Sequence, residues 1–170
     1  MAINFPEGTQ NFPSKVLQCK TNYDSSMVTV TNTTGNQGSL FNLTGLRVYG
    51  NLNTITITPV SSSSTMILQG ISGVTNSSHS YPLQGAYGIV CVLNDSNTGS
   101  IDNTNYNAYQ LRNLMGSTGY LPFVSVQGHY AAGSTSQQVW RLKGLAYTEG
   151  SNTCTIRYIK HHLTIWEVEI

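Results

Sequence analysis

The sequence predicts an all-β fold: an antiparallel β-sandwich, jelly-roll-like, over residues 15–170, preceded by an extended N-terminal arm over residues 1–14. Three observations predict it. Runs of β-branched residues with period-2 alternation recur about every ten residues, with turn residues between them, as in a sandwich or jelly roll. No stretch shows the apolar periodicity of a helix three turns long. Charged residues are only 9% of the chain, while 16 glycines and about a third Ser, Thr and Asn supply turns and uncharged polar surface.

Residues 1–14 hold Phe5, Pro6, Phe12 and Pro13 in a polar setting and read as an anchoring arm or, equally, as a frayed terminus. Lys15–Lys20 and Met27–Asn32 follow as strands, with Asn22, Asp24 and two serines forming a turn between them. After a Gly/Asn loop, Leu40–Tyr49 gives a strand interrupted by Gly45. Asn53–Gly73 is the organising stretch. Ile55 and Ile57 share one face opposite Thr54, Thr56 and Thr58, and Met66, Leu68 and Gly70 face away from Ile67, Gln69 and Ile71. Pro59 cannot donate to a ladder and the serines Ser61–Ser64 compete for backbone hydrogen bonds, so the two runs form a hairpin or a corner between two sheets.

Val74–Gln84 reads as a polar loop, and Gly85–Leu93 (GAYGIVCVL), the most continuously apolar run, as a central core strand. Asn94–Tyr109 is Asn-rich and loop-like, and Leu111, Leu114 and Met115 are spaced for one short helical turn. Leu121–Gln127 and Gln137–Gly144 alternate as strands, with Trp140 and Leu142 opposite Val139, Arg141 and Lys143. Thr153–Tyr158 and Leu163–Ile170 are the last two predicted strands.

Composition also excludes functions. A net charge of +1 with eight scattered Lys and Arg residues leaves no basic face for nucleic acid. No apolar run approaches the ~20 residues of a membrane-spanning helix. MAINFPEGTQ has no charged segment followed by an apolar one, so no secretory signal is expected and folding in a cytoplasm is. Such weak charge repulsion favours association into a closed oligomer. Cys19, Cys91 and Cys154 lie in separate strand-like runs without CxxC spacing and are expected as buried free thiols. No metal site or cofactor is expected. His161 and His162 are adjacent, point to opposite faces of a strand and read as solvent or interface histidines, while His79 and His129 fall in loops. Asp95-Ser-Asn97-Thr-Gly99 starts like a calcium loop, but Tyr106 stands where the bidentate carboxylate belongs. G-x-S-x-G, P-loop and H-E-x-x-H patterns are all absent, so no enzyme is expected.

The strongest candidate for recognition is a set of tyrosines in or beside Asn/Ser/Gly-rich loops: Tyr81, Tyr87, Tyr106, Tyr109, Tyr120 and Tyr130. Tyr with small polar residues makes adaptable contact surfaces, and flat rings with amides also suit sugars. The candidate recognition loop is drawn from Asn94, Asp95, Asn97, Asn105, Tyr106, Tyr109 and Tyr120.

Four segments, AINFPEGTQ with SKVLQ, then ITPVSSSSTMILQGISG, LPFVSVQGHY and LTIWEVEI, occur in an order that resembles small structural proteins of marine tailed phages, especially those infecting cyanobacteria. The resemblance implies a β-sandwich virion protein, often trimeric, serving as capsid decoration or in a tail fibre, made in the bacterial cytoplasm. Its implied partners are its own copies, other virion proteins and a host-surface glycan. The chain departs from the pattern in its Asn/Tyr-rich stretch Asn94–Gly119 and in Thr65 and Met66, where lysine more often follows the serines. The alternative reading is a free carbohydrate-binding β-sandwich module.

Overall fold

The computed structural model describes residues 15–32, 49–78, 86–94, 106–113, 123–148 and 154–169. Eight strands run through them: β1 (Lys15–Asn32), β2 (Tyr49–Ile57), β3 (Thr65–Ser78), β4 (Ala86–Asn94), β5 (Tyr106–Asn113), β6 (Phe123–Ala131), β7 (Gln138–Thr148) and β8 (Cys154–Glu169). They form two four-stranded antiparallel sheets, ordered β1-β8-β3-β6 and β2-β7-β4-β5. This is the double-sheet jelly roll. Its pairs β4·β5, β3·β6, β2·β7 and β1·β8 are nested, as if the chain were one long hairpin folded between Asn94 and Tyr106 and then rolled up. The added pairs β3·β8 and β4·β7 close the roll.

Between the sheets lies a core of inward-facing residues that includes Ile55 and Ile57 of β2, Met66 and Leu68 of β3, Val90 and Val92 of β4, Val124 and Val126 of β6, and Trp140 and Leu142 of β7. The alternation read in Asn53–Gly73 holds residue for residue, but β2 and β3 belong to different sheets, so the serine-rich turn is a corner. The apolar run Ala86–Asn94 is a central strand between β5 and β7, as its composition predicts. Gly144 of β7 leaves room for an aromatic ring: a Cβ there would lie 2.7–2.9 Å from three ring atoms of the buried Tyr158.

Several expectations are corrected. Asn22, Asp24 and the serines do not separate two strands. Asp24 Oδ1 accepts the Ser26 N–H at 2.8 Å, a local turn that survives only as a bulge because β8 pairs with β1 on both sides of it. Thr153–Tyr158 and Leu163–Ile170 likewise merge into β8, whose kink is Lys160 at φ 54°, a left-handed conformation costly for a non-glycine residue. β3 runs to Ser78, so the residues from Val74 are strand rather than loop. Leu111 lies in β5 and not in a helical turn, because three apolar positions cannot outweigh the pairing offered by the central strand β4. Tyr106 and Tyr109 are strand residues for the same reason. His129 sits in β6, not in a loop, and Cys19 is exposed. Cys91 is the buried free thiol expected, its pKa pushed up to about 12 by burial, with the Lys143 ammonium partly opposing. The strand predicted at Leu40–Tyr49 lies outside the described residues but for Tyr49, which opens β2.

The bulges in β1, β3 and β8 coincide around His161. Inserting Lys160 moves the inward phase of β8 from Ile156 and Tyr158 to His161, Leu163, Ile165 and Glu167. His161 is therefore fully buried, correcting the solvent-exposed reading. Ser72 donates its hydroxyl to the Gly73 carbonyl at 3.1 Å, so it accepts from His161 Nδ1 at 3.0 Å. That leaves Nε2 as a buried lone pair without a partner among the described residues. A proton added there would find no acceptor. Burial holds the His161 pKa below its ordinary value, with the Asp24 carboxylate opposing.

A depressed histidine pKa means that the unfolded chain binds the proton first. Its contribution to stability is complete above pH ~6.5 and is lost as pH falls below that value. We predict that the urea midpoint falls on acidification from pH 7 to 5, with a slope from this group of at most ~1.4 kcal/mol per pH unit. In His161→Gln, which cannot titrate, this slope should flatten whatever the absolute stability. An unchanged slope would remove His161 as its source.

Candidate functional site

One end of the sandwich is built by the corner between β2 and β3 and the loop between β6 and β7. The corner is held from below by Glu167, a carboxylate with no exposed surface. Its Oε1 accepts from the Ser64 hydroxyl at 2.6 Å and from the N–H groups of Val60 at 2.8 Å and Ser61 at 3.1 Å, and its Oε2 accepts from Gln18 Nε2 at 2.6 Å. Burial alone would raise its pKa, but the converging donors hold it below the ordinary carboxylate value. The serines thus have a defined use: their short hydroxyls and freed N–H groups wrap a buried anion. The corner in turn clasps the next loop, since the N–H groups of Ala132 and Gly133 donate to the carbonyls of Ser64 at 2.9 Å and Ser62 at 3.0 Å. Gly133 adopts φ 64°, which glycine accepts without strain.

Gln18 belongs to a second device. Gln18, Lys20 and Asn22 of β1 donate to the carbonyls of Thr58, Thr56 and Thr54 at 2.8, 2.8 and 3.2 Å. Side chains from the edge of one sheet thereby cap the free carbonyls along the edge of the other, which blocks addition of a further strand there. Asn53 closes the row, accepting from Asn22 Nδ2 at 2.7 Å and donating to the His161 carbonyl at 3.1 Å.

Above the clasped loops opens a cleft of about 380 Å³ between the ends of β4, β6 and β7. Tyr130, on the inward phase of β6 but 37% exposed at the rim, forms its wall and meets the buried Trp140 edge-on at 5.2 Å and 76°. Buried Gln138 lines it with both ends of its amide bonded: its Nε2 donates to the Ala132 carbonyl at 2.8 Å and its Oε1 accepts from Trp140 Nε1 at 3.2 Å. Ser134, Ser136 and Gln137 of the β6–β7 loop and Asn94 at the end of β4 also line it.

Of the recognition residues expected from sequence, Asn94 lines this cleft. Tyr106 and Tyr109 lie on β5, opposite Leu93 and Cys91 of β4. Asp95, Asn97, Asn105, Tyr120 and the arm residues Phe5, Pro6, Phe12 and Pro13 lie outside the described residues. Sequence reasoning named Tyr130, considered Glu167 only as a partner of Glu169 on one strand face, and missed Gln138 and Gln18. The signal for Glu167 was a carboxylate on the apolar phase of a strand, after Leu163 and Ile165. Among the described residues no helix is long and apolar enough to cross a membrane, and no cluster of His, Cys, Asp and Glu is suited to a metal ion.

No protein-family model and no curated protein matches the sequence. Solved structures do match in shape. A chain of infectious bursal disease virus, Gt strain, superposes with a TM-score of 0.51 at 9% identity, covering 99% of this chain and 42% of that one. A VP2 subviral particle of the same virus gives a TM-score of 0.49 at 8% identity, covering 98% of this chain and 36% of that one. The chain spans less than half the length of these solved chains. At such identities the likeness is one of fold: the all-β, jelly-roll sheets of this chain are shared with a chain of that virus.

Proposed function

We propose that the chain is a non-enzymatic structural component of a virion. The observation that carries this reading is the strand order β1-β8-β3-β6 over β2-β7-β4-β5, matched over 99% of the chain by a viral structure. The finer reading is a tailed-phage protein, either capsid decoration or a short fibre knob, whose partners are its own copies and neighbouring virion proteins. It rests on the four sequence segments and their order. Two of them, the serine-rich corner and the closing strand, meet at Glu167, so these segments carry the architecture of the sandwich end.

Self-association, in our reading into a homotrimer, draws its support from the outer face of the first sheet, which favours contact with another copy and does not fix the number of copies. Met27 of β1, Ile159 of β8, Gly73 of β3 and Phe123 of β6 lie in one register row. Met27 and Phe123 are 59% and 60% exposed at its two ends, and Tyr23 nearby is 60% exposed. An apolar stripe across a sheet with few charges is a surface suited to a second copy.

Cryo-electron microscopy of assembled particles tests the reading. Density on the capsid lattice is the outcome expected for a decoration protein, and density at the tail for a fibre knob. Absence from particles would overturn the virion role and favour the free carbohydrate-binding module.

A further inference from the structure

The cleft at the end of β4, β6 and β7 is built without charge. Its polar lining is amide and hydroxyl, its one exposed ring is Tyr130, and no Lys, Arg, Asp, Glu or His among the described residues lines it. The groups around it fall into two kinds. Gln138 spends both ends of its amide on Trp140 and Ala132, which fixes its place in the lining. Ser134 accepts the Ser136 N–H at 3.0 Å, which fixes the loop. The Tyr130 hydroxyl, the Ser136 hydroxyl and the Gln137 amide, by contrast, make no hydrogen bond among the described residues. Rigid support beside a short row of uncommitted donors and acceptors is how a small polar ligand is oriented.

We propose that this cleft is a binding site for a neutral saccharide of one or two rings. The volume stands near the lower end of the ~300–1,000 Å³ range of small-ligand clefts. Hydroxyls and side-chain amides both donate and accept, which is what the adjacent hydroxyls of a sugar require. Tyr130 gives the apolar face of a sugar ring an aromatic surface, and its edge-on contact with Trp140 holds that surface in place. Phosphates, nucleotides and sialylated or sulfated glycans would bring charge to a site with nothing to neutralise it. The site differs from the loop expected from sequence, sharing only Asn94 with it.

The inference goes beyond a place in a particle, and its failure is separate. A protein that binds no sugar could still occupy the particle, and a sugar-binding protein could be missing from it. The test is titration of the full chain with methyl glycosides of glucose, galactose, mannose and N-acetylglucosamine, followed by amide chemical shifts, with sialic acid as the anionic control. At least one neutral glycoside should saturate at millimolar concentration, with shifts at residues 130–138 and a dissociation constant insensitive to added salt. Tyr130→Ala should weaken binding about tenfold or more, and Gln137→Ala, on an exposed loop residue outside the core, about two- to tenfold. Far-UV circular dichroism with a cooperative thermal melt reports whether each variant remains folded. No saturation by any neutral glycoside up to about 50 mM would overturn the proposal, a limit far weaker than millimolar affinity. So would preference for sialic acid, or binding by folded Gln137→Ala and Tyr130→Ala at full strength.

Discussion

Replacing Glu167 with Gln is expected to lower stability by about 2–3 kcal/mol at pH 7, seen as a drop in Tm of roughly 5–10 °C. The change is nearly isosteric, so the loss would be electrostatic. Both carboxylate oxygens accept, from Val60, Ser61, Ser64 and Gln18; the Ser64 hydroxyl can turn to the Ser61 carbonyl 2.7 Å away and accept instead, but the backbone N–H groups of Val60 and Ser61 can only donate. Gln18 could turn its amide, but would then lose its bond to the Thr58 carbonyl and open the seam between the sheets. An amide at position 167 therefore aims N–H at N–H, leaving a buried donor unmet. The pH dependence separates this effect from packing. The folded-state pKa of Glu167 lies below its ordinary value of 4.5, so its contribution is present above pH 4.5 and is lost as pH falls through the folded value. Glu167→Gln should lose stability at pH 7 and lack this acid limb. A variant as stable as the parent at pH 7, by thermal melting, would show that the corner is not held by the carboxylate.

Gly144→Ala should destabilise by about 1–3 kcal/mol, although alanine is a modest change elsewhere in a strand. The new methyl group would meet three atoms of the Tyr158 ring below 3.0 Å. The ring cannot retreat, because it has no exposed surface and its hydroxyl donates to the Leu145 carbonyl beside the glycine. Ring and glycine form one interlock between β7 and β8, across the two sheets. The measurement is a double-mutant cycle in urea with Tyr158→Leu, which removes the obstructing ring atoms. The two changes should be strongly non-additive, with Gly144→Ala costing much less in the leucine background. Additive effects would place the cost elsewhere.

The fold was legible because the inward residues alternate over the stretches 54–58 of β2, 65–71 of β3, 123–127 of β6 and 138–142 of β7. Ile55 and Ile57, Met66 and Leu68, Val124 and Val126, and Trp140 and Leu142 each declare a buried face. The long strands β1 and β8 were not legible as single strands, because period-2 reasoning assumes a constant phase. Lys160 resets the phase in β8, and the Asp24–Ser26 turn signal sits inside a strand that its neighbour keeps extended. The inward side chains of β1 also mislead. Gln18, Lys20 and Asn22 point toward the other sheet to reach its carbonyls, while Cys19 and Tyr23 face out, an inversion that only the seam explains. The sandwich end was half legible. Pro59 and the serines announced the corner, but nothing local shows that their N–H groups wrap a carboxylate more than a hundred residues away.

The nesting of the strands bears on how the protein is made. The innermost pair, β4·β5, closes a short loop and can form while later residues are still being synthesised. Each further pair must wait for a later partner. β8 lies between β1 and β3, so until residues 154–169 have left the ribosome the first sheet is two separate pieces, and the second sheet lacks the part of its cover that β8 supplies. An emerging chain thus carries nearly all its hydrophobic strands before their burial is complete, and its final order is reached only once β8 is free to pair. For such a topology the hazardous interval is the one just before β8 emerges. Its low charge gives little repulsion to keep neighbouring unfinished chains apart.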